Sequence, residues 1–450
     1  MLTRLKNIDT VVTCDASDRV LKNVDLWFCD GVITGIGQKE AEADCEFDCS
    51  GMIVYPGLVN VHHHLYQFFT RNLKKVQSYE LFDWLRALYG VWKNLNESTV
   101  FYSSAAAMGE LMRYGCTTCF DHHYVFPSGA GDLLGAQFEA AKALGIRMHA
   151  SRGSMDLSEK DGGLPPDSVV QTVDGILTDT EALIARYHDP SPYSMRRIVV
   201  APCSPFSASG PLYRDSAVLA REHGVRLHTH LCETKDEEAY TLARFQNRPF
   251  DYMASLGWTG PDVFYAHGIH FNDAELDRIA ETDTKIAHCP CSNMKLSSGV
   301  MRLPDMLKRG ITVGLGVDGS ASNDASNLME EMRTAYLLHR LTCGADAPSG
   351  YEILKLATVG GAKVLGQEEI GSIAIGNAAD VFAIRTDSPD LLCAIDDPMN
   401  LFGNVGYHRP CDLVFVNGQL TVRDGRLVGI DEELLRANGE RELRRFLKDL

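Results

Sequence analysis

The feature of this chain that most constrains its fold is a series of eight short β-rich segments that alternate with helical stretches. The segments span residues 59–64, 116–121, 146–151, 197–202, 225–231, 263–268, 284–289 and 311–318. A strand followed by a helix, repeated eight times, is typical of a parallel (β/α)8 barrel, which takes about 250 residues. The pattern therefore predicts an α/β fold in which residues 56–369 form a (β/α)8 TIM barrel.

The two ends of the chain have a different texture from the middle. Residues 24–37 and 412–429 contain short β-rich runs around Asp-Gly or Asn-Gly dipeptides, which are hairpin signals. Neither end holds enough strands for a stable core of its own. We therefore expect residues 1–55 and 370–430 to combine into one small β-sandwich, with the barrel inserted between them and a C-terminal helix over residues 431–450.

Charge and cysteine usage restrict the partners and the compartment. The chain of 450 residues has a formal net charge of −17, which disfavours binding to nucleic acid or an anionic membrane and suits a small neutral or cationic molecule. The thirteen cysteines follow no regular framework, and the N-terminus lacks the apolar core of a signal peptide. No apolar run approaches the roughly 20 residues of a membrane span. These features predict a cytoplasmic protein, and its size is compatible with a homo-oligomer.

Histidines stand at the ends of two predicted strands. His62 and His64 end the first segment, and side chains two apart on a strand point to the same face, so both could hold one divalent ion while His63 points away. The fifth segment supplies His228 and His230 in the same relation. A polar strand end without a metal explains an isolated His-x-His pair equally well, so the assignment depends on the other strands.

Those other strands favour the metal. Asp318 follows an apolar run at the end of the eighth segment, where a buried carboxylate without a partner would be expensive. His267 ends the sixth segment. A (β/α)8 barrel carries its chemistry at the C-terminal ends of its strands, so these side chains are expected to meet at one face. Three histidines and one aspartate suit zinc or ferrous iron with a position left open for water.

The chain resembles the amidohydrolase superfamily, and within it the deaminases and aminohydrolases that act on purines, pyrimidines and triazines. Five motifs carry the resemblance: PGLVNVHHH (56–64), HLCE (230–233), YAHGIH (265–270), HCPCSNMKLSSG (288–299) and GLGVDGSASND (314–324). The resemblance extends over essentially the whole chain, including the β-sandwich built from both termini. It is specific for the superfamily and much less so for the substrate.

The resemblance implies a role for each residue of the strand-end cluster. The implied metal ligands are His62, His64, His230 and Asp318. Glu233, three residues after His230, is implied to be the proton shuttle, and His267 is implied to hydrogen-bond the attacking water or the developing tetrahedral centre. Asp318 could both bind the metal and take the proton of that water.

One metal ion is expected rather than two. Binuclear relatives of such barrels commonly bridge two metals with a modified lysine on the fourth strand, and residues 197–209 contain no lysine. Zinc is the expected ion, with ferrous iron as the alternative. Such an ion lowers the pKa of its water, so that hydroxide could attack the amine-bearing ring carbon and release ammonia. A non-catalytic metal-binding barrel is the alternative of a different class, and the joint presence of Glu233, His267 and Asp318 argues against it.

Three residues are candidates for contact with a substrate. Gln67, in the first β/α loop, can present a donor and an acceptor to the amide edge of a base. Arg152 could meet a ring carbonyl or form only a loop salt bridge, and His122 could contact the substrate, support the site or only satisfy a strand end. Residues 65–92 and 151–169 most resemble the 8-oxoguanine deaminases and their near relatives. The resemblance thus implies 8-oxoguanine, with isocytosine or 5-methylcytosine-type pyrimidines and hydroxytriazines as alternatives.

Three further segments complete the sequence-based expectations. Residues 152–170, rich in Gly, Pro, Ser and Asp, leave the third strand and are expected to form a lid. Glu330 and Glu331 are expected to lie on a solvated helix face. Residues 288–291 (HCPC) superficially match the zinc motif of cytidine deaminases but lack its P-C-x-x-C spacing, so we interpret them as a strand and its loop.

Overall fold

The computed structural model describes residues 1–37 and 41–448. Residues 38–40 of the predicted N-terminal β segment and residues 449–450 of the predicted C-terminal helix lie outside the described residues.

Nineteen strands form in the described part of the chain. Five precede the barrel: β1 (Leu2–Val12), β2 (Val20–Cys29), β3 (Val32–Ile36), β4 (Cys45–Asp48) and β5 (Met52–Pro56). Ten belong to the barrel region: β6 (Leu58–Asn60), β7 (His63–His64), β8 (Cys116–Asp121), β9 (Arg147–Ser154), β10 (Arg196–Pro202), β11 (Arg226–Leu231), β12 (Val263–His267), β13 (Lys285–His288), β14 (Val313–Leu315) and β15 (Asp318–Gly319). Four follow it: β16 (Val381–Arg385), β17 (Leu413–Val416), β18 (Gln419–Arg423) and β19 (Arg426–Leu427).

Sixteen α-helices accompany these strands in the described residues. They are α1 (Leu81–Trp92), α2 (Glu97–Arg113), α3 (Leu133–Leu144), α4 (Val173–Tyr187), α5 (Gly210–Glu222), α6 (Lys235–Phe245), α7 (Pro249–Ser255), α8 (Asp273–Glu281), α9 (Pro290–Lys295), α10 (Leu303–Lys308), α11 (Ser320–Asn323), α12 (Leu328–Cys343), α13 (Gly350–Lys355), α14 (Gly361–Leu365), α15 (Leu401–Asn404) and α16 (Glu432–Phe446). None of these described helices combines the length and the apolar character that crossing a membrane requires.

Eight parallel strands form the predicted barrel, in the order β6, β8, β9, β10, β11, β12, β13 and β14. The backbone N–H of Val61 donates to the carbonyl oxygen of Leu315 at 3.2 Å, which joins the end of the first strand to the last. The strands β8 to β13 agree with the predicted segments to within three residues at each end. The predicted (β/α)8 fold is therefore confirmed.

The first and last predicted strands differ from expectation because each is interrupted. The first divides into β6 and β7, and the last into β14 and β15, and β7 pairs with β15 in a short parallel ladder. The interruption lets the two chain segments approach closely: a Cβ at Gly316 would lie 2.8 Å from the Cβ of His62. This ladder stands at the C-terminal end of the barrel and carries His63 and His64 opposite Asp318 and Gly319.

Both termini build one small sheet beside the barrel, as predicted. Its strands run in the order β19, β18, β17, β16, β5, β1, β2 and β3, with β4 paired to β1. The two layers of the expected β-sandwich belong to a single continuous sheet rather than to two separate sheets. The sheet folds back on itself, because Phe28 of β2 and Phe415 of β17 lie four strands apart yet their ring centroids are 5.5 Å apart.

A buried ion pair joins this sheet to the barrel. Arg147, the first residue of β9, pairs with Asp380, which immediately precedes β16, and both side chains are buried. The Nε of Arg147 also donates to the carbonyl oxygen of Ser194 at 3.1 Å, and Asp380 accepts the backbone N–H of Asn417 at 2.6 Å. This contact lies at the N-terminal ends of the barrel strands, so the opposite face is left for a site.

Candidate metal centre and active-site pocket

Histidine nitrogens and one carboxylate oxygen converge at the C-terminal end of the barrel. The Nε2 atoms of His64 and His230 are 3.2 Å apart. The Oδ1 atom of Asp318 is 3.3 Å from Nε2 of His64 and 3.4 Å from Nε2 of His62. All four side chains are buried.

Backbone carbonyl groups decide which nitrogens of His64 and His230 face this cluster. The Nδ1 of His64 is 2.7 Å from the carbonyl oxygen of His122, and the Nδ1 of His230 is 2.6 Å from that of Cys203. A carbonyl oxygen can only accept, so each Nδ1 carries the proton and donates it. In the neutral rings, both Nε2 lone pairs therefore point into the cluster.

A relay of two imidazoles orients His62 in the same way. The Nδ1 of His228 donates to the carbonyl oxygen of Phe264 at 2.9 Å, which leaves Nε2 of His228 as an acceptor. That Nε2 is 3.0 Å from Nδ1 of His62 and accepts its proton. The buried Nε2 of His62 has no hydrogen-bond partner. The geometry thus places His230 in the cluster and His228 behind His62, which favours His230 as the ligand.

Asp318 is held as an anion. Burial would raise the pKa of its carboxyl, but the adjacent imidazoles of His62 and His64 hold that pKa well below its usual range. Its Oδ2 accepts the hydroxyl of Ser292 at 2.5 Å, and its Oδ1 accepts the backbone N–H of Gly319 at 2.7 Å. Asp318 also has a φ of 62°, a left-handed conformation that is uncommon for an aspartate and is often found at functional sites.

The donor set fits a divalent ion of the zinc or ferrous type. Three inward-facing imidazole lone pairs and one carboxylate repel one another unless a cation lies among them, and these atoms are the ligands that such ions prefer. The unpartnered Nε2 of His62 is the orphaned buried atom that such an ion would satisfy. Nitrogen and oxygen atoms of His62, His267 and Asp318 lie within 4.8 Å of one another, as do those of His62, His122 and His230.

Glu233 and His267 stand beside this cluster. The Oε2 of Glu233 is 3.5 Å from Nε2 of His267, and the hydroxyl of Ser298 donates to Oε1 of Glu233 at 3.3 Å. Burial raises the pKa of the Glu233 carboxyl. The Nδ1 of His267 is 2.9 Å from Oδ1 of Asn293, and His267 has a φ of 71°. The arrangement places a group able to donate or accept a proton next to an oriented imidazole.

A small pocket opens directly onto the cluster. His64, His230, Glu233, His267 and Asp318 form its polar floor. Its apolar wall consists of Leu81, Trp84, Leu85, Phe206 and Leu296. Among the described residues no lysine or arginine lines it. The pocket is therefore suited to a small uncharged ring.

Gln67 is the candidate substrate residue that reaches this pocket. Its side chain is only 1% exposed, and neither its Oε1 nor its Nε2 has a hydrogen-bond partner. Gly319 makes room for it, because a Cβ there would lie 1.9 Å from Oε1 of Gln67. A buried carboxamide without partners costs free energy unless a ligand satisfies it. The contact with substrate stays a prediction, which this placement supports.

Trp84 is a second unpartnered group of the pocket. The buried indole N–H of Trp84 has no hydrogen-bond acceptor. Stacking against an aromatic ring and donation from an indole have the same sequence signature. No hydropathy pattern could have distinguished them.

Arg152 and His122 are not among the described residues that line the pocket, which favours the alternative roles that the sequence left open for them. Arg152 donates to Asp179 at 2.8 Å and to Gln171 at 2.8 Å, so its donors are already used in the wall of the barrel. The Nε2 of His122 donates to the carbonyl oxygen of Ala201 at 2.9 Å. The ring of His122 stacks on that of His230, which favours support of the metal centre over contact with substrate.

The segment that follows β9 packs against the apolar wall of the pocket. Residues 152–154 belong to β9, and the remainder contains two short 3-10 turns at Glu159–Asp161 and Asp167–Val169. Leu164 and Val169 are buried in one apolar cluster with Trp84 of the pocket wall.

The expectation that Glu331 lies on a solvated helix face is wrong. Glu330 is exposed as expected, but the side chain of Glu331 is buried and hydrogen-bonded to the segments after β13 and β15. A pair of adjacent glutamates on an amphipathic helix gives no sign that one of them faces inward.

Comparison with known proteins gives three further findings. A model described as the amidohydrolase family matches residues 53–421. The chain is 44% identical over 411 residues to 8-oxoguanine deaminase of Pseudomonas aeruginosa, covering 89% of each chain. It is 40% identical over 445 residues to hydroxydechloroatrazine ethylaminohydrolase of Pseudomonas sp. (strain ADP), covering 95% of this chain and 92% of that protein.

The fold is also similar to a solved structure that contains zinc. The crystal structure of atrazine chlorohydrolase from Arthrobacter aurescens TC1, complexed with zinc, matches with a TM-score of 0.94 and 31% sequence identity. The match covers 98% of this chain and 100% of that one.

We expect His230→Ala to remove most of the bound metal and His228→Ala to retain it when zinc is in excess. The first change deletes a nitrogen of the cluster, whereas the second removes only the group that orients His62, and loss of such support typically costs about 10–100-fold in metal affinity. Elemental analysis should find about one zinc per wild-type chain. Full metal in His230→Ala together with loss in His228→Ala would reverse the assignment, and two equivalents in the wild type would reject a single-metal site.

Proposed function

Because this chain belongs to the amidohydrolase family, as its motifs predicted, we propose that it is a metal-dependent deaminase of a small aromatic heterocycle, with 8-oxoguanine as the preferred substrate. Relatives that cover most of the chain are named deaminases and aminohydrolases, and the chain is a hydrolase that acts on C–N bonds. The observation that carries the proposal is the buried pair of Glu233 and His267 beside the histidine cluster, in the pocket that the unpartnered carboxamide of Gln67 also lines.

His62, His64, His230 and Asp318 would hold the metal. Zinc is the proposed ion, and a zinc-containing structure of similar fold supports it. An ion held there would supply the Lewis acidity that makes water a nucleophile near neutral pH.

The protein's own side chains then move the protons. Asp318 takes one proton from the attacking water as the oxygen of that water bonds to the amine-bearing carbon. Glu233, whose raised pKa lets it carry a proton, donates that proton to the adjacent ring nitrogen. The proton held by Asp318 passes to the amine, the C–N bond breaks to release ammonia, and Glu233 recovers a proton from the hydroxyl on the same carbon as the ring carbonyl forms. The Nε2 of His267 hydrogen-bonds the hydroxyl of the developing tetrahedral centre, and Asn293 fixes the orientation of the ring.

The pocket favours a free base over a nucleoside or a nucleotide. Its volume is small, and no cationic side chain among the described lining residues is available for a phosphate or a carboxylate. The carboxamide of Gln67 and the indole N–H of Trp84 would meet the carbonyl and N–H groups along the edge of an oxo-purine. Ring stacking against the apolar wall would supply the remaining affinity.

A hydroxytriazine with an alkylamino substituent is the second candidate. The 40% identity to hydroxydechloroatrazine ethylaminohydrolase supports it, and so do the aliphatic side chains of Leu81, Leu85 and Leu296, against which an ethyl group could pack. The same residues would perform the same steps, with ethylamine in place of ammonia.

A panel of heterocycles tests the proposed function. We expect the zinc-loaded enzyme to release ammonia from 8-oxoguanine with a higher kcat/KM than from guanine or isocytosine, and a higher kcat/KM than for release of ethylamine from an N-ethylamino hydroxytriazine. Preference for the triazine would replace the first candidate with the second. Absence of turnover for the entire panel, with metal bound, would favour a barrel that binds metal without catalysis.

Glu233→Gln should retain the metal and the fold but lose about 10²–10⁴-fold in kcat. Glutamine has nearly the same shape and cannot donate or accept the transferred proton. The measurement is steady-state turnover of 8-oxoguanine at matched zinc content. A variant with near-wild-type turnover would shift the proton-transfer role to another group, with Asp318 as the next candidate.

Gln67→Ala should lower kcat/KM for 8-oxoguanine by about 5- to 150-fold, which corresponds to the roughly 1–3 kcal/mol cost of a buried polar group left unpaired. Metal content should stay complete because Gln67 is not among the proposed ligands. Arg152→Ala serves as the comparison, since its donors contact the protein itself. Equal loss for a base that lacks the contacted group would show that Gln67 acts on the fold and not on the substrate.

A further inference from the structure

Glu331 is a buried carboxylate that links two β/α loops of the active-site face. Each of these loops contains a short helix, α9 or α11. Glu331 belongs to α12, which packs outside the barrel, and its side chain is 0% exposed. Its Oε2 accepts the backbone N–H of Cys291 at 3.2 Å, and its Oε1 accepts Nδ2 of Asn323 at 2.5 Å. One carboxylate therefore joins the loop after β13 to the loop after β15.

The first of these loops carries two residues that orient the catalytic groups. Ser292 and Asn293 directly follow Cys291. The hydroxyl of Ser292 donates to Oδ2 of Asp318 at 2.5 Å, and Oδ1 of Asn293 is 2.9 Å from Nδ1 of His267. A shift of the Cys291 backbone would therefore move the partners of both Asp318 and His267.

The second loop approaches Asp318 from the other side. Nδ2 of Asn323 donates to the carbonyl oxygen of Val317 at 2.7 Å as well as to Glu331. The peptide of Val317 leads directly into Asp318, whose left-handed φ of 62° is an unfavourable conformation that its surroundings must maintain. Glu331 thus acts on Asp318 through the backbone before it and through the side chain of Ser292.

Burying a carboxylate at this position is energetically unfavourable. Burial raises the pKa of Glu331 to about 8, so the site opposes the charged form. An apolar side chain would pack α12 against the barrel at less expense, but it would leave the N–H groups of Cys291 and Asn323 without an acceptor. The unfavourable burial of this carboxylate is explained if the two loops must be held at a fixed position relative to each other.

We propose that Glu331 is a positioning residue, which aligns Asp318 and His267 by tying the loop after β13 to the loop after β15. It does not touch the substrate. The proposal rests on the proposed function only for the catalytic consequence, because the alignment of Asp318 can be observed on the metal itself.

Glu331→Gln, with Glu330→Gln as the matched control, tests this role with cobalt(II) as the probe. Both partners of Glu331 are donors, so an amide can accept from one and must present its own N–H to the other. We expect Glu331→Gln to alter the visible absorption of the bound cobalt and to weaken its binding by about 10–100-fold, as for other groups that orient metal ligands. For 8-oxoguanine, kcat should fall about 10–100-fold while KM stays nearly unchanged. Glu330→Gln, on the exposed face, should match the wild type in every measurement.

A lower unfolding temperature of Glu331→Gln with unchanged cobalt spectrum, cobalt affinity and kcat would overturn the proposal and leave only a structural role. Should that variant fail to fold, Asn323→Ala removes one of the two links, and a wild-type cobalt spectrum in Asn323→Ala would equally overturn it. The spectra need no substrate. Failure of the wild-type enzyme to deaminate any heterocycle therefore counts against the proposed function, while the cobalt measurements still decide the role of Glu331.

Discussion

The active-site face depends on hydrogen bonds from histidine Nδ1 atoms to acceptors at or near the ends of neighbouring strands. Because carbonyl oxygens accept and never donate, they hold His64 and His230 in one tautomer, and His228 passes the same constraint to His62. The parallel barrel places those carbonyls, since Phe264 pairs with His228 in the β11–β12 ladder and His122 and Cys203 directly follow β8 and β10. The barrel thus sets the direction of the lone pairs, and the chemistry of the cluster follows from that direction.

The strand-end positions explain why the sequence was sufficient for the fold and for the composition of the cluster. A histidine or aspartate that follows an apolar run in a repeated β/α pattern must lie at one face, so His62, His64, His230 and Asp318 could be grouped before any distance was known. The choice between His228 and His230 was different. Alternation along a strand puts both on one side, so the sequence favoured His230 only through its resemblance to the family, and the partners of the ring nitrogens place His230 in the cluster and His228 behind His62.

The sequence did not predict the roles of residues that act through a long side chain or through a loop. Arg152 follows a strand at the correct end of the barrel, yet its guanidinium reaches Asp179 and Gln171 in the wall. Glu331 shares a polar helix segment with Glu330, and only the packing of α12 shows that one of them is enclosed. The hydropathy pattern of a helix or strand indicates which of its faces is buried on average. It does not report a single polar group that is buried because two loops need an acceptor.

The sheet formed by both termini has a consequence for the order in which the molecule can be assembled during synthesis. Strand β5 lies between β1 and β16, and Ile53 pairs with Ile384, so an edge of the N-terminal sheet stays open until nearly the whole chain has left the ribosome. Open strand edges invite pairing with other chains. The nascent protein therefore carries its most aggregation-prone surface from the beginning of translation, and the C-terminal strands relieve it last. Loss of the chain from β16 onward would expose the same edge permanently, far from the catalytic residues.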